Sequence, residues 1–425
     1  MTRIRLRHVA RINPPSPAFE NLASDAEVTF LPMEAVWPGR RLDMSRRRQK
    51  ESVLTGFTRF QDGDVLVPKI TPTFEAGRAV RVAGLVNGVG TGTTELHVVR
   101  PGREIDGRYL LYLVNTHHFL KLGEAEMYGV AGQQRVPDRF LRDLLVDVLP
   151  LEEQRRIADF LDAETSRIDE LFALRQRQIE LLEERELAVI GDMLSGNAVS
   201  GRRYSTGWTW LPSIPSEWEV GPVYAYFYTD LGKMLNQERA SGPNQKPYLR
   251  NANVHWYEID SDDIATMDFD PEERARYLLE PGDLLVCEGG AGVAEAAVWD
   301  GRIEECYFQK SLHRVRKSRE LPVEWLMYWL RFAKSCGVFE SDGNIATIPH
   351  LTGEQLRMYR IPIPNYAESL IRETGSSIKN LKDAITTQRR AQSLLAERRQ
   401  ALITVAVTGQ FDVTTASGRN LTQGV

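Results

Sequence analysis

The chain has 425 residues, 42% hydrophobic and 26% charged, too many for one ordinary core, so two or more domains are expected. It holds no unbroken apolar run of the 18 or more residues that cross a bilayer, and its first residues, MTRIRLRHVARINPP, lack a signal-peptide apolar region, so a soluble cytoplasmic protein is expected. The net charge of −5 gives no global sign of nucleic-acid binding, and Cys287, Cys306 and Cys336 fit no zinc spacing.

Residues 1–150 read as a mixed region. Short β-rich runs, DVLV and ELHVV, are broken by glycine and proline turns, and an amphipathic helix is expected around Tyr109–Val114. Here 21 Lys/Arg stand against 17 Asp/Glu, and GRRLDMSRRRQK, Gly39–Lys50, concentrates six of the positive charges. Taken alone, such a run is a solvated loop. Asn13-Pro14-Pro15-Ser16 misses the Asn-Pro-Pro-aromatic motif of adenine methyltransferases, because Ser16 has no π-face to stack on a flipped base.

A long helix is predicted over 151–199. Leu161, Ile168, Leu182 and Val189 share a seven-residue register, with Leu171 and Leu174 between them. Residues 200–364 repeat the mixed pattern, with 18 basic against 24 acidic residues. Gly289-Gly290-Ala291-Gly292 follows a strand, but Glu295 stands where a dinucleotide fingerprint needs a small residue. Gly232-Lys233 is followed by Met234, so it is no phosphate-binding loop, and no lysine has Asp or Glu two places before it, as restriction-nuclease metal sites do. A second long helix, 365–410, carries Ile371, Ile378 and Ile385 in one register and Leu381, Leu395 and Leu402 on the adjoining one, before a tail at 411–425.

The second half repeats the first. GDVLVPK at Gly63–Lys69 returns as GDLLVCE at Gly282–Glu288, ELHVVRP at Glu95–Pro101 as SLHRVRK at Ser311–Lys317, and LLEER at Leu181–Arg185 as LLAER at Leu394–Arg398. His97 and His313 fall at matching strand positions and read as structural. The two helices carry opposite charge: 6 Lys/Arg and 12 Asp/Glu over 151–199, but 8 and 5 over 365–425. Helices of about 40 residues are roughly 60 Å long, longer than a small domain is wide, so the two are expected to pair antiparallel as a coiled coil. The fold class is therefore α+β, with two α/β domains separated by a long antiparallel helix pair and related by an approximate two-fold repeat.

This order of domain, helix, domain, helix resembles the specificity subunit of type I restriction-modification systems. So do PLEEQRRIADFLDAETSRID, ERRQALITVAVTGQFDV, GDLLVCEGGAG and EECYFQKSLHRVR. One departure is that Glu153-Gln154 becomes Glu368-Ser369 where the second helix opens, implying weaker docking there. The resemblance implies that 1–150 and 200–364 are target-recognition domains for the halves of a split, asymmetric double-stranded DNA site, with the helices as spacer. It also implies a non-catalytic chain that binds no cofactor itself. Two methyltransferase subunits using S-adenosylmethionine, and restriction subunits using ATP and Mg, are the implied partners.

On that footing Arg46, Arg47, Arg48, Lys50 and Lys69 are candidate DNA contacts, and Gln133, Gln134 and Arg135 carry groups suited to base edges. In the second domain Arg250, Asn251, Asn253, His255, Asn344 and Thr347 are the candidates. The competing reading is a two-headed coiled-coil scaffold that binds proteins rather than DNA.

Overall fold

The computed structural model describes residues 2–36, 42–130, 133–235, 240–339 and 350–413. Its contacts divide the chain into two compact units, Met1–Arg177 with Arg389–Val425, and Gln178–Gln388. The sequence suggests boundaries at the ends of the long helices; the units part within both helices, so each unit takes a portion of each.

In the first unit one antiparallel sheet orders Ala10–Ile12, Leu96–Pro101, Val65–Pro68 and Val80–Arg81. A second orders Arg47–Gln49, Glu27–Leu31, Val89–Gly92 and Thr58–Gln61, with its central pair parallel. The β-rich run Val65–Pro68 is buried at every position, as a central strand covered on both faces should be. The expected helix is Gly107–Leu113, started by Asp106, whose carboxylate accepts from the N–H groups of Arg108 and Tyr109 at 2.9 and 3.3 Å.

The second unit repeats this plan. Phe227–Leu231, Leu312–Lys317, Leu284–Cys287 and Ala296–Val298 form the equivalent antiparallel sheet. Gln245–Leu249 and Tyr307–Phe308 again pair parallel. The repeated Gly-Asp pair explains part of the duplication. Gly63 and Gly282 take φ of +91° and +95°, which L side chains disfavour. The next residue, Asp64 or Asp283, is buried, accepts a turn N–H and forks onto an arginine of the neighbouring strand, Arg100 or Arg316.

The long helices run Leu151–Ser195 and Ala367–Val407. Within the first unit Ile157, Ala158 and Leu161 share a core with Ile403, Ala406 and Val407, Arg399 pairs with Asp169 at 3.4 Å, and Gln392 bonds Gln176 at 3.1 Å. Within the second, Ile190 and Met193 share a core with Leu370 and Ile378, and Thr374 bonds the Met193 sulfur at 2.9 Å. In the first unit residue numbers rise on one helix as they fall on the other, so the two run antiparallel there.

Leu161, Ile168, Ile378 and Ile385 are buried, while Leu182, Val189, Ile371, Leu381, Leu395 and Leu402 are partly so. Leu171 and Leu174 are corrections, for they stand 46% and 63% exposed. The buried line instead passes through Thr165, Ile168, Ile179, Glu186 and Ile190. A straight helix drifts about 20° per heptad from a strict seven-residue pattern, which carries the inner face off the line that Leu171 and Leu174 extend.

Candidate nucleic-acid interface

The described part of the first unit's basic run, 42–50, is largely engaged, while Gly39, Arg40 and Arg41 lie outside the described residues. Arg46 pairs with Glu34 at 2.8 Å and Arg47 with Glu27 at 3.4 Å, both on the surface. Exposed pairs of this kind contribute about 0–1 kcal/mol, so either arginine can exchange its carboxylate for a phosphate at little cost. Arg48 lies over the Phe30 ring at 5.0 Å. Lys50 is different, and its expected role as a phosphate contact is corrected. Its ammonium donates to the carbonyls of Glu20 and Leu22 at 2.8 and 2.6 Å and sits by the Phe19 ring, which makes it a clamp of its own loop.

Of the other first-unit candidates, Lys69 and Arg135 meet at one open cleft of about 370 Å³, lined also by Asn13, Thr94, Glu95, His97, Tyr128 and Asp138. Strand Val65–Pro68 delivers Lys69, and the loop before helix Asp138–Asp143 delivers Arg135. Lys69 donates to the Thr94 carbonyl at 2.7 Å; partial burial lowers its pKa, opposed by Glu95 and Asp138. Arg135 grips Glu95 with Nε and Nη2 at 2.8–3.1 Å, and that hydrogen bonding holds the Glu95 carboxyl below its ordinary pKa. The Gln134 carbonyl accepts from the Thr71 N–H and its own N–H donates to the Thr71 hydroxyl, while Gln133 is exposed.

His97 closes the floor. It is buried, Nε2 lies 2.9 Å from the Val136 carbonyl, Nδ1 faces the Asn13 amide at 3.3 Å, and burial pushes its pKa down to about 4. It is therefore neutral, with Nε2 the donor. His313 repeats the bond, to the Leu351 carbonyl at 2.8 Å. The match extends further: Val136 N–H donates to the Lys69 carbonyl as Leu351 N–H does to Glu288, and Ile70 bridges Arg135 as Gly289 bridges His350. One backbone frame thus holds Lys69, Glu95 and Arg135 in the first unit and Glu288, Ser311 and His350 in the second.

Of the second-unit candidates, Arg250 pairs with Asp263 at 2.5 Å and exposed His255 faces Glu295 at 3.5 Å. Asn251 donates to the Gly289 carbonyl at 2.8 Å, and its buried Oδ1 has no hydrogen-bond partner among the described residues. Asn253 is a correction. It is 2% exposed, and its amide is spent on the backbone of Arg250, Asp260 and Asp263, fixing the loop rather than facing a ligand. Asn344 and Thr347 lie outside the described residues.

Sequence reasoning missed Glu95 and His350, whose significance comes only from the strands and bridges that seat them. Among the described residues no group of three His, Cys, Asp or Glu could hold a metal, and no helix is long and apolar enough to cross a membrane.

No protein-family model matches the chain. Over 156 residues it is 40% identical to the type I restriction enzyme EcoAI specificity subunit of Escherichia coli, covering 36% of this chain and 26% of that protein. The EcoEI specificity subunit of the same species is 40% identical over 158 residues, again 26% of its length. The chain thus spans about a quarter of the length of these relatives. The putative type I restriction enzyme MjaX specificity subunit of Methanocaldococcus jannaschii is 21% identical over 370 residues, covering 83% of this chain and 79% of that one. Among solved structures, a chain described under complex assembly and conformational transition of the type I R-M system aligns at a TM-score of 0.63. It is 18% identical, and the alignment covers 96% of this chain and 98% of that one.

Proposed function

We infer, from a chain that belongs with the specificity subunits of type I restriction enzymes, that this protein is the DNA-reading subunit of such a system. Each unit takes one half of a bipartite double-stranded site. The observation that carries this reading is the repeated frame bearing different polar side chains, Lys69, Glu95 and Arg135 against Glu288, Ser311 and His350. A duplicated scaffold with altered reading groups suits an asymmetric site, since identical groups would suit a palindrome.

The chain supplies no chemistry of its own on this reading. Methyltransferase subunits using S-adenosylmethionine, and restriction subunits using ATP and Mg, supply it. In the first unit Leu171, Phe172, Leu174 and Leu394 leave apolar surface exposed on the long helices, which supports docking of a partner subunit there.

A gel shift of the full chain, with and without the methyltransferase partner, tests the reading. Retardation that depends on DNA sequence is the expected result. Equal retardation of every duplex would overturn it.

A further inference from the structure

We propose that Arg135 reads a guanine in the half-site taken by the first unit, with Glu95 as the positioning residue that aims it. The proposal rests on the DNA-reading function above and names a determinant of its specificity.

A guanidinium has five N–H donors in a fixed fork. In Arg135, Nε and Nη2 are held side-on by the Glu95 carboxylate, and Nη1 donates to the Gln133 carbonyl at 3.3 Å. Each terminal nitrogen carries two N–H groups, so one on each remains for a ligand. Two parallel donors match the O6 and N7 acceptors of guanine in the major groove. The fork is also fixed before any ligand arrives. Arg135 exchanges backbone hydrogen bonds with Tyr128 at 2.9 and 3.2 Å and is bridged to Ile70. Its side chain remains 39% exposed, whereas Glu95 is 25% exposed. The carboxylate is the anchor and the guanidinium the reaching group.

A phosphate contact is the competing use of an arginine, and the surroundings decide against it. Lys69 and Arg135 share the cleft with Glu95 and Asp138, so the formal charges cancel. A mixed-charge cleft repels phosphate about as much as it attracts it, yet still offers directed donors to a neutral base edge. The repeat adds an independent observation. The second unit keeps the histidine and backbone bonds of this frame but carries His350 for Arg135 and Ser311 for Glu95. Fork and anchor are replaced together, as expected of two residues that act as one reading device.

The test selects binding sites from random duplex libraries with the full chain and its methyltransferase partner, comparing wild type, Arg135→Lys and Glu95→Ala. Arg135→Lys keeps the charge but removes the fork. It should lose preference for guanine at one position by roughly ten- to a hundredfold, leaving the other half-site and the salt dependence unchanged. Glu95→Ala should lose the same preference while raising affinity for unrelated duplexes, because an acid leaves the cleft; a purely structural role would not do both. Retention of the second half-site shows that each variant is folded. Unaltered guanine preference in Arg135→Lys, or an even loss across all sequences, would overturn the proposal. A wild type that selects no motif would instead overturn the DNA-reading function itself.

Discussion

Replacing Gln154 with alanine should destabilise the first unit by about 3 kcal/mol. Gln154 lies in the first turns of the first long helix and is wholly buried. Its Oε1 accepts from the Asp106 N–H at 2.8 Å, and its Nε2 donates to the carbonyls of Glu104 and Leu149 at 2.9 and 2.8 Å. One side chain therefore satisfies three backbone groups that would otherwise be stranded. Each stranded group costs about 1–3 kcal/mol. The vacated space is polar enough for water to recover part of that. About 3 kcal/mol remains, a shift of roughly 6–12 °C in the unfolding midpoint of a unit this size. The second helix offers the control, because Ser369 stands at the equivalent place and merely donates to Glu373 at 2.9 Å. Docking there falls to other groups, among them the Trp325 indole donating to the Pro362 carbonyl at 2.8 Å. Ser369→Ala should stay within about 0.5 kcal/mol of wild type. Calorimetry of the full chain compares the two variants. If Gln154→Ala melted with Ser369→Ala, the view of Gln154 as a clamp would be wrong.

Glu186→Ala should cost about 3–5 kcal/mol, because Glu186 is 3% exposed and its loss strands Arg331, 2.9 Å away, whereas Glu186→Leu with Arg331→Met should be near neutral in the same denaturation assay. His97 carries a folded pKa of about 4 against an ordinary 6.5, so the unfolded chain takes up the extra proton between those values. Stability should then fall as pH drops from about 6.5 towards 4, by roughly 3 kcal/mol in all, and His97→Gln, which keeps a donor for the Val136 carbonyl, should flatten that slope in urea titrations. The purified chain alone should transfer no methyl group to DNA from labelled S-adenosylmethionine, and tritium in the DNA without added partner would refute the division of labour proposed above.

The repeat, both long helices and the central strands were legible because each rests on local pattern. DVLV and ELHVV are apolar runs between turn residues, and Ile371, Ile378 and Ile385 mark a face by spacing alone. What escaped the sequence depends on partners distant in the chain. Leu171 and Leu174 look like seam residues until the helix's own drift is followed, while the seam also uses polar groups, Gln392 with Gln176 and Arg399 with Asp169, that no hydrophobic pattern reports. Asn253 and Asn251 are the same residue type two places apart. Burial turns the first wholly to its own backbone, and only the folded loop tells them apart. Arg135 carried a readable chemistry, but its aim comes from Glu95, 40 residues earlier.

Because the first unit joins Met1–Arg177 to Arg389–Val425, it cannot be completed during synthesis until nearly the whole chain has emerged. The second unit, contiguous over Gln178–Gln388, faces no such delay. At roughly 5–20 residues per second, the ribosome takes roughly ten to forty seconds to make the intervening two hundred residues. Throughout that interval Ile157, Ala158 and Leu161 lack Ile403, Ala406 and Val407, which later cover them. The N-terminal half of the protein is thus the last to mature, and a nascent chain stalled before the second long helix presents a bare apolar face to chaperones and proteases.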